Sequence, residues 1–416
     1  MSEEQPDRKQ SGFKDRTRLA EARERLLDAV EVHDRTEEIP LRSADGRVLA
    51  EAVVAARNVP HYPRAAMDGY AVRAADTFGA SDRSPEVLRR AGEAGEADEG
   101  NEMRANAAVR VHTGSELPAG ADAVVMIEQT DEFGNEVEVF DAVAEGENVA
   151  PVGEDVERGQ QLYEAGHRLR PSDLGLLRSV GVETVAVRER PTVGVIPTGE
   201  ELVDSDPGPG EVVETNGLTV SQFVERWGGE ATYRDVVTDD PDALRAAVQR
   251  DLATDVVVTI GGSSVGERDL LPEVVSELGE VLFHGVALKP GHPVAAGVVE
   301  DTPVVMLPGY PVASIVNAVQ FLRPALKAAG GLPLDSLPTT EARLDRKIRS
   351  EPGIRTFARV KIDEGGGELT ATPTSASGSG VLSSVALSDG WVVVPEGREG
   401  IPEGEIVAVQ DWEALP

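Results

Sequence analysis

Residues 255–269 read DVVVTIGGSSVGERD. The first part, through Ile260, is a continuous apolar run, the kind of strand that is buried on both faces of a parallel sheet. The rest is a Gly-Ser loop that ends in Asp269, just before the helical segment LPEVVSELG. Strand, Gly-rich loop and helix form the repeating unit of an α/β fold, and the flanking sequence repeats it. TVGVI (192–196) is a second buried-type strand, and GLTVSQFVERWGG (217–229) is a helix that ends at Gly228 or Gly229. ATYRDVVT is a strand. PDALRAAVQRDL is a helix with Asp240 placed as its N-cap and Pro241 as its first residue. VLFHGVAL, PVAAGVV and PVVMLP follow as strands, and PVASIVNAVQFLRPALKAA closes as one long helix. The alternation predicts a three-layer α/β domain over residues 188–330.

The remainder of the chain reads differently. Residues 1–15 are expected to be a disordered tail. Thr17–Val32 has the apolar spacing of an amphipathic helix, with Leu19, Leu26, Leu27 and Val30 recurring. Residues 61–140 carry short β-prone runs punctuated by Gly and Pro, which predicts a small β-rich domain. Residues 141–187 lead through a Gly-punctuated β segment into a helix at Pro171–Ser179, with Gly181 as its stop. After residue 331 the chain is β-rich again, and a C-terminal β-barrel or sandwich is expected.

Composition narrows the function classes. There are 74 acidic and 40 basic residues, a formal net charge of −34 without a single acidic block. Such a surface suits solubility in a salty cytoplasm and opposes nucleic-acid or membrane binding, which needs basic patches. The chain has no cysteine, which excludes disulfides, zinc-thiolate sites, iron–sulfur clusters and thiol nucleophiles. The polar start, MSEEQPDRKQSGFKDR, has no apolar run of a signal peptide, and no run approaches the ~18–20 residues of a membrane span. The expectation is a cytoplasmic protein.

In an open α/β sheet, ligands bind beyond the carboxyl ends of the strands. After TVGVI comes PTGEEL, with Thr198, Gly199, Glu200 and Glu201. After DVVVTI come Gly261, Gly262, Ser263, Ser264, Gly266 and Asp269. After VLFHGVAL comes KPGHP, with Lys289 and His292. After PVVML comes PGYP, with Pro308 and Gly309 leading into a helix. Each has an ordinary explanation taken alone. Gly-Ser loops turn chains, Asp269 can cap a helix, Glu200 and Glu201 can be solvated, Lys289 can be a surface lysine, and His292 a turn residue. Together at one sheet edge they point to Mg2+ and phosphate chemistry: carboxylates for the metal, lysine and backbone amides for the phosphate. Neither a Walker lysine loop nor a G-x-G-x-x-G turn after a strand is present.

GGSSVGERDLLPEV, LKPGHPV and MLPGYPVAS, in that order, resemble the molybdopterin molybdenumtransferase family (MoeA and the gephyrin E domain). So do AAMDGYAV (65–72), HTGSELPAGADAVVMIEQT (112–130), PVGEDVERGQQL and PTGEEL. The resemblance covers roughly residues 16–416. It implies an elongated multidomain α/β plus β chain in four parts: a discontinuous α+β domain I (16–60 and 141–187), a β-rich inserted domain II (61–140), a three-layer α/β/α, MogA-like domain III (188–330) and a C-terminal β-barrel-like domain IV (331–416). It also implies a homodimer with its active site in a cleft between domain III of one subunit and domain II of the other. The implied reaction is Mg2+-dependent insertion of molybdate into adenylyl-molybdopterin with release of AMP.

On that resemblance Asp68 and Thr113 reach across the dimer cleft, although their context equally permits turn capping. Glu201, Asp240 and Asp269 are the carboxylate candidates, with Asp269 and Glu201 for Mg2+. An N-cap role already accounts for Asp240. Thr198, Gly199, Pro308 and Gly309 line the substrate site. Gly261, Gly262, Ser263 and Ser264 cradle the pyrophosphate, and Lys289 contacts phosphate or molybdate. Arg355, Arg359 and Ser379 fall near the oxyanion, where arginine forks suit tetrahedral anions. Three positions depart from the family pattern. His292 replaces the second lysine of KPGKP, Tyr310 the asparagine of LPGNP, and Ala313 the following serine, with Ser314 next to it. Those departures leave two other readings open, a catalytically weak molybdopterin carrier or scaffold and a tungstate-preferring enzyme. A nucleotide hydrolase built on the α/β domain alone leaves MDGYA and TGSELPAGADAVV unexplained.

Overall fold

The computed structural model of the chain describes residues 16–93, 103–261, 270–365, 367–374 and 380–414. It divides into two compact units, one of residues 38–187 and one of residues 188–416 together with the N-terminal segment up to residue 37. The tail expected over residues 1–15 lies outside the described residues.

The larger unit is built on a six-stranded sheet in the order Glu230–Tyr233, Thr192–Pro197, Val256–Ile260, Thr302–Leu307, Ala295–Val299, Gly279–His284. The first four strands run parallel. Ala295–Val299 is antiparallel to both neighbours, so Gly279–His284 again points the way of the parallel four. Its carboxyl end therefore shares their edge. The apolar run of Val256–Ile260 has the predicted cause. Val256, Val258 and Ile260 enter one core, and Val257 enters another with Leu244, Val248, Leu271 and Val275. Side chains alternate across a strand, so a strand covered on both faces must be apolar throughout.

Local signals are mostly honoured. Asp240 caps Pro241–Arg250, with its Oδ1 accepting from the amides of Asp242 (3.1 Å) and Ala243 (2.9 Å). The helix expected over Thr17–Val32 is shorter, Leu19–Asp28. Its end is turned by the amides of Ala29 and Val30, which bond back to Leu26 and Leu27. Leu19, Ala22 and Leu26 pack into the α/β core. The expected single long helix is interrupted: Pro311–Asn317 is α, Ala318–Leu322 is a π turn, and Arg323–Ala329 is α again. Pro324 explains the interruption. It has no N–H to offer the carbonyl of Gln320, four residues earlier. Arg23 Nε donates to that carbonyl instead, at 3.0 Å.

The strand expected over VLFHGVAL also divides. It leaves the sheet after His284, where Gly285 takes a φ of 92°. Leu288–Lys289 then pairs in parallel with Arg355 and Thr356 of the C-terminal region. That region is a closed barrel. Arg355–Gly365 pairs with Glu368–Pro373, which continues through Thr339–Leu344, Ile406–Gln410 and Gly390–Val394 back to Arg355–Gly365. The alternation along Arg355–Gly365 gives the strand two duties. Val360 is buried inside the barrel with Ala358 and Ile362 against it, whereas Phe357 joins Trp391 and Trp412 in the core shared with the α/β layer. Among the described residues no helix is long and apolar enough to cross a membrane.

The smaller unit holds a second six-stranded sheet, in the order Ala123–Met126, Gly69–Val72, Ala107–Val111, Glu86–Glu93, Glu136–Val139, Thr130–Phe133. Tyr70, Leu88, Val125 and Val137 fill its core. The helix Pro171–Ser179 stands where the sequence puts it. Its third residue, Asp173, is nearly buried and carries a polar cluster. Asp173 accepts from the amide of Arg170 (2.9 Å), the Arg170 guanidinium (3.0 and 3.1 Å) and Tyr163 Oη (3.1 Å), with His167 Nε2 at 2.9 Å. Hydrogen bonding from Arg170, then from His167, holds the carboxyl well below the usual carboxylate range. A depressed pKa stabilises the fold at pH values above the unfolded value of ~3.9, and the benefit is lost as pH falls toward the folded value. Asp173→Asn is therefore expected to cost about 2–3 kcal/mol at pH 7. The gap from the parent should narrow below about pH 4, which urea midpoints at pH 7 and pH 3 would show.

Candidate functional site

The carboxyl edge of the parallel strands is assembled by register. Pro197 pairs with Ile260, and Ile260 with Leu307. Thr198, Gly261 and Pro308, the next residues, therefore lie level with one another. The amide of Thr198 donates to Ile260 O (2.9 Å) and that of Gly261 to Leu307 O (3.0 Å). Gly261 has a φ of 114°, and a β-carbon there would lie 2.2 Å from the carbonyl oxygen of Thr198, so the position requires glycine. Gly309 sits directly against Gly261. Asn216 Nδ2 donates to Gly309 O at 2.7 Å and holds the PGYP loop on this edge. Glu201 is exposed beside Gly199, where a β-carbon would lie 2.8 Å from Glu201 Oε2. Gly262, Ser263, Ser264, Asp269 and Ser379 lie outside the described residues.

The KPGHP loop is tied to the same edge from below. Asn317, buried in the helix that follows PGYP, donates from Nδ2 to Gly291 O (3.0 Å) and to Ala313 O (2.8 Å). A β-carbon on Gly291 would lie 2.1 Å from that nitrogen, and its φ is 103°. The loop is thus clamped on one side by the helix and on the other by the barrel strand paired with Leu288–Lys289.

Between loop and barrel lies a cavity of about 650 Å³, within the ~300–1,000 Å³ range usual for small-ligand sites. Lys289 and His292 line it from the loop, and Lys347, Arg349, Glu351, Arg359 and Thr374 from the barrel. Arg359 is on the same strand face as Phe357, the face turned to the α/β layer, because side chains two apart share a face. Burial pushes its guanidinium below the ordinary value. Thr374 Oγ1 is buried with no hydrogen-bond partner among the described residues. Burial, followed by the charges of Arg16 and Lys289, pushes His292 below its ordinary pKa. At neutral pH it is a neutral imidazole. Four basic side chains against one carboxylate make this a cationic pocket in a chain of net charge −34. Its chemistry is that of an anion site with several charge-assisted donors.

Three expected site residues have local partners in the structure. The carboxylate of Asp240 is engaged by the helix amides that it caps. Arg355 does not line the cavity, and its Nη2 donates to Glu396 Oε2 at 3.0 Å. In the smaller unit Asp68 Oδ1 accepts from both the amide (2.7 Å) and the hydroxyl (2.8 Å) of Thr113, which is turn capping. Those bonds hold the exposed Asp68 carboxyl below its usual range. Lys347, Arg349, Thr374, Asn216 and Asn317 are additions from the structure. A signal for two of them stood in the sequence: RLDRKIRS (343–350) carries Arg343, Arg346, Lys347 and Arg349, an unusual basic cluster in so acidic a chain.

Residues 17–181 match the family described as MoeA N-terminal region (domain I and II), residues 194–328 the probable molybdopterin binding domain, and residues 341–412 the MoeA C-terminal region (domain IV). The molybdopterin molybdenumtransferase of Bacillus subtilis is 34% identical over 388 residues, which span 90% of this chain and 89% of that protein. That of Haemophilus influenzae is 31% identical over 408 residues, 95% of this chain and 99% of that one.

The chain belongs to the molybdopterin molybdenumtransferase family.

As a member of the molybdopterin molybdenumtransferases it is an enzyme of the transferase type. The crystal structure of the molybdopterin biosynthesis MoeA protein from Pyrococcus horikoshii superposes with a TM-score of 0.80 at 33% identity, over 95% of this chain and 100% of that one. The multidomain α/β plus β architecture with a closed C-terminal barrel is thus that of the MoeA family.

Proposed function

We propose that this chain inserts molybdate into adenylyl-molybdopterin and releases AMP, as a step of molybdenum cofactor biosynthesis. The observation that carries this reading is the cationic cavity between the KPGHP loop and the barrel. Lys289, Lys347, Arg349 and Arg359 supply charge-assisted donors to a tetrahedral oxyanion, and Arg359 supplies a planar fork. Thr374 Oγ1 adds a buried hydroxyl that needs a partner. The strand-end edge brings Thr198, Gly261 and Gly309 level with one another, and the pyrophosphate of the substrate would lie beyond it, where ligands of open α/β sheets bind.

Mg2+ belongs to the same proposal. No three His, Asp or Glu side chains gather into a metal-binding group among the described residues. Mg2+ asks for less, since it is usually held by one or two carboxylates together with substrate phosphates and water. Glu201 at the sheet edge, with Asp269, would hold it. The ion, when bound, neutralises charge on the departing phosphate. The four-part division and the homodimer, with Asp68 and Thr113 completing the cleft of a second subunit, belong to this proposal.

The test is to incubate the purified protein with adenylyl-molybdopterin, Mg2+ and either molybdate or tungstate, and to measure AMP. Release with molybdate is expected. Absence of release with both oxyanions would sink the enzymatic reading in favour of a molybdopterin-binding carrier.

The neutral His292 makes a second prediction. Where the family pattern has a permanent cation, this chain has one that appears only as pH falls through a lowered pKa. Molybdate affinity should therefore rise from pH 8 to pH 5.5 in the parent, with the gain lying below about pH 6.5. His292→Lys should bind more tightly at pH 8 and lose most of that dependence. Equal affinities for both proteins at both pH values would refute the role.

A further inference from the structure

The cationic cavity contains one acidic side chain. Among its described lining residues Glu351 alone is a carboxylate. It is also in contact with the cation nearest the loop, for Lys289 Nζ lies 3.1 Å from Glu351 Oε1. The main chain holds both partners in place. Lys289 belongs to the short strand paired with Arg355 and Thr356. The turn that carries Glu351 is anchored by the amide of Ser350 on Glu399 O (2.9 Å) and by the amide of Ile354 on Glu351 O (3.1 Å). Ser350 Oγ and Thr356 Oγ1, 2.7 Å apart, join that turn to the strand beside Lys289. Backbone positions are therefore set, while the two side chains remain 60% and 62% exposed and can part without unpacking anything.

A carboxylate presents two oxygens and a negative charge to an ammonium, as one edge of a tetrahedral oxyanion does. We propose that Glu351 is a built-in competitor for the oxyanion at Lys289: its carboxylate holds the lysine until an oxyanion that also reaches the other cations displaces it. This inference rests on the oxyanion reading of the cavity. An anion that touches Lys289 alone, such as chloride, offers the lysine no more than Glu351 already does. An oxyanion that spans Lys289 and Arg359 offers more, so the tethered carboxylate keeps the pocket from filling with weak monovalent anions. Lys289 in turn holds the Glu351 carboxyl below its ordinary range, so it stays ionised at neutral pH. An exposed pair of this kind is a modest competitor, which sets the expected effect at about two- to fivefold in affinity.

The experiment is calorimetric titration of the full chain with molybdate, and with sulfate as a second tetrahedral dianion, at constant ionic strength. Four proteins are compared: the parent, Glu351→Gln, Glu351→Asp and Glu341→Gln. Glu341 is exposed on the barrel and does not line the cavity. Glu351→Asp keeps the charge and shortens the reach by one methylene. Both Glu351 variants are expected to bind molybdate about two- to fivefold more tightly, with Glu341→Gln unchanged. Tightening in Glu351→Gln but not in Glu351→Asp would reduce the residue to a general charge effect and overturn the contact. Equal affinity in all four proteins would overturn it as well. Absence of binding of either dianion to every protein would instead overturn the oxyanion reading itself.

Discussion

Arg359→Ala is expected to lower molybdate-dependent AMP release by about 10²- to 10³-fold, and Lys289→Ala by only about tenfold. Both side chains line the same cavity, and the difference comes from solvent. Arg359 is half-buried, and burial already disfavours its charge. Charges interact more strongly where water is scarce, so an arriving dianion recovers there what desolvation has cost. Its planar fork can also engage two oxygens at once. Lys289 is 60% exposed and shares its charge with Glu351, so water and that carboxylate dilute its contribution. Arg359→Lys should recover little, because an ammonium is a point donor. Initial rates with adenylyl-molybdopterin, Mg2+ and molybdate would measure the ranking, with circular dichroism to confirm that the variants fold. A larger loss for Lys289→Ala than for Arg359→Ala would show that burial does not set the weight of each cation.

Asp251→Ala should destabilise the larger unit by about 3–5 kcal/mol. Asp251 is fully buried at the end of the helix Pro241–Arg250. Its Oδ1 accepts from Arg234 Nε at 3.0 Å and from Arg234 Nη2, and its Oδ2 from Arg250 Nη2 at 3.1 Å. Arg234 follows the edge strand Glu230–Tyr233, and its amide donates to Val195 O at 2.9 Å. The ion cluster therefore joins helix, edge strand and central sheet. Gly194 makes room for it, since a β-carbon at that position would lie 2.9 Å from Asp251 Cβ. Removal of the carboxylate leaves a buried void and takes from both guanidiniums the acceptor that ties them to the helix end. Asp251→Asn, which keeps the shape and part of the hydrogen bonding, should fall between the parent and the alanine variant. Urea midpoints decide this, and a midpoint for Asp251→Ala within error of the parent would refute it.

Legibility of the fold followed the range of the interactions involved. The buried strand Val256–Ile260, the helix Pro171–Ser179 and the Asp240–Pro241 helix start are visible because each is decided by residues within a few positions. The divided strand after His284 was not. Gly285 permits the break, but the partner of Leu288–Lys289 is Arg355–Thr356, more than sixty residues on. The interrupted helix has a local cause in Pro324, whereas its remedy, Arg23, lies almost three hundred residues earlier. In the candidate site, Lys289, His292 and Arg359 could be picked out by pattern and are brought together. Arg355 carries the same chemistry four residues before Arg359, yet Glu396 takes its guanidinium. Lys347 and Arg349 carried a compositional signal but no indication of where they would point.

By itself, then, the sequence determined the three-layer α/β domain, the Gly-rich strand ends and the family to which the chain belongs. Periodicity, capping and glycine requirements are properties of short segments, and the motifs stand in a fixed order. Only the tertiary structure decided which cations face one another across the cavity, and that a glutamate faces Lys289. Charge partners are selected by closure of the barrel against the KPGHP loop, a contact between segments far apart in the chain that no local pattern encodes.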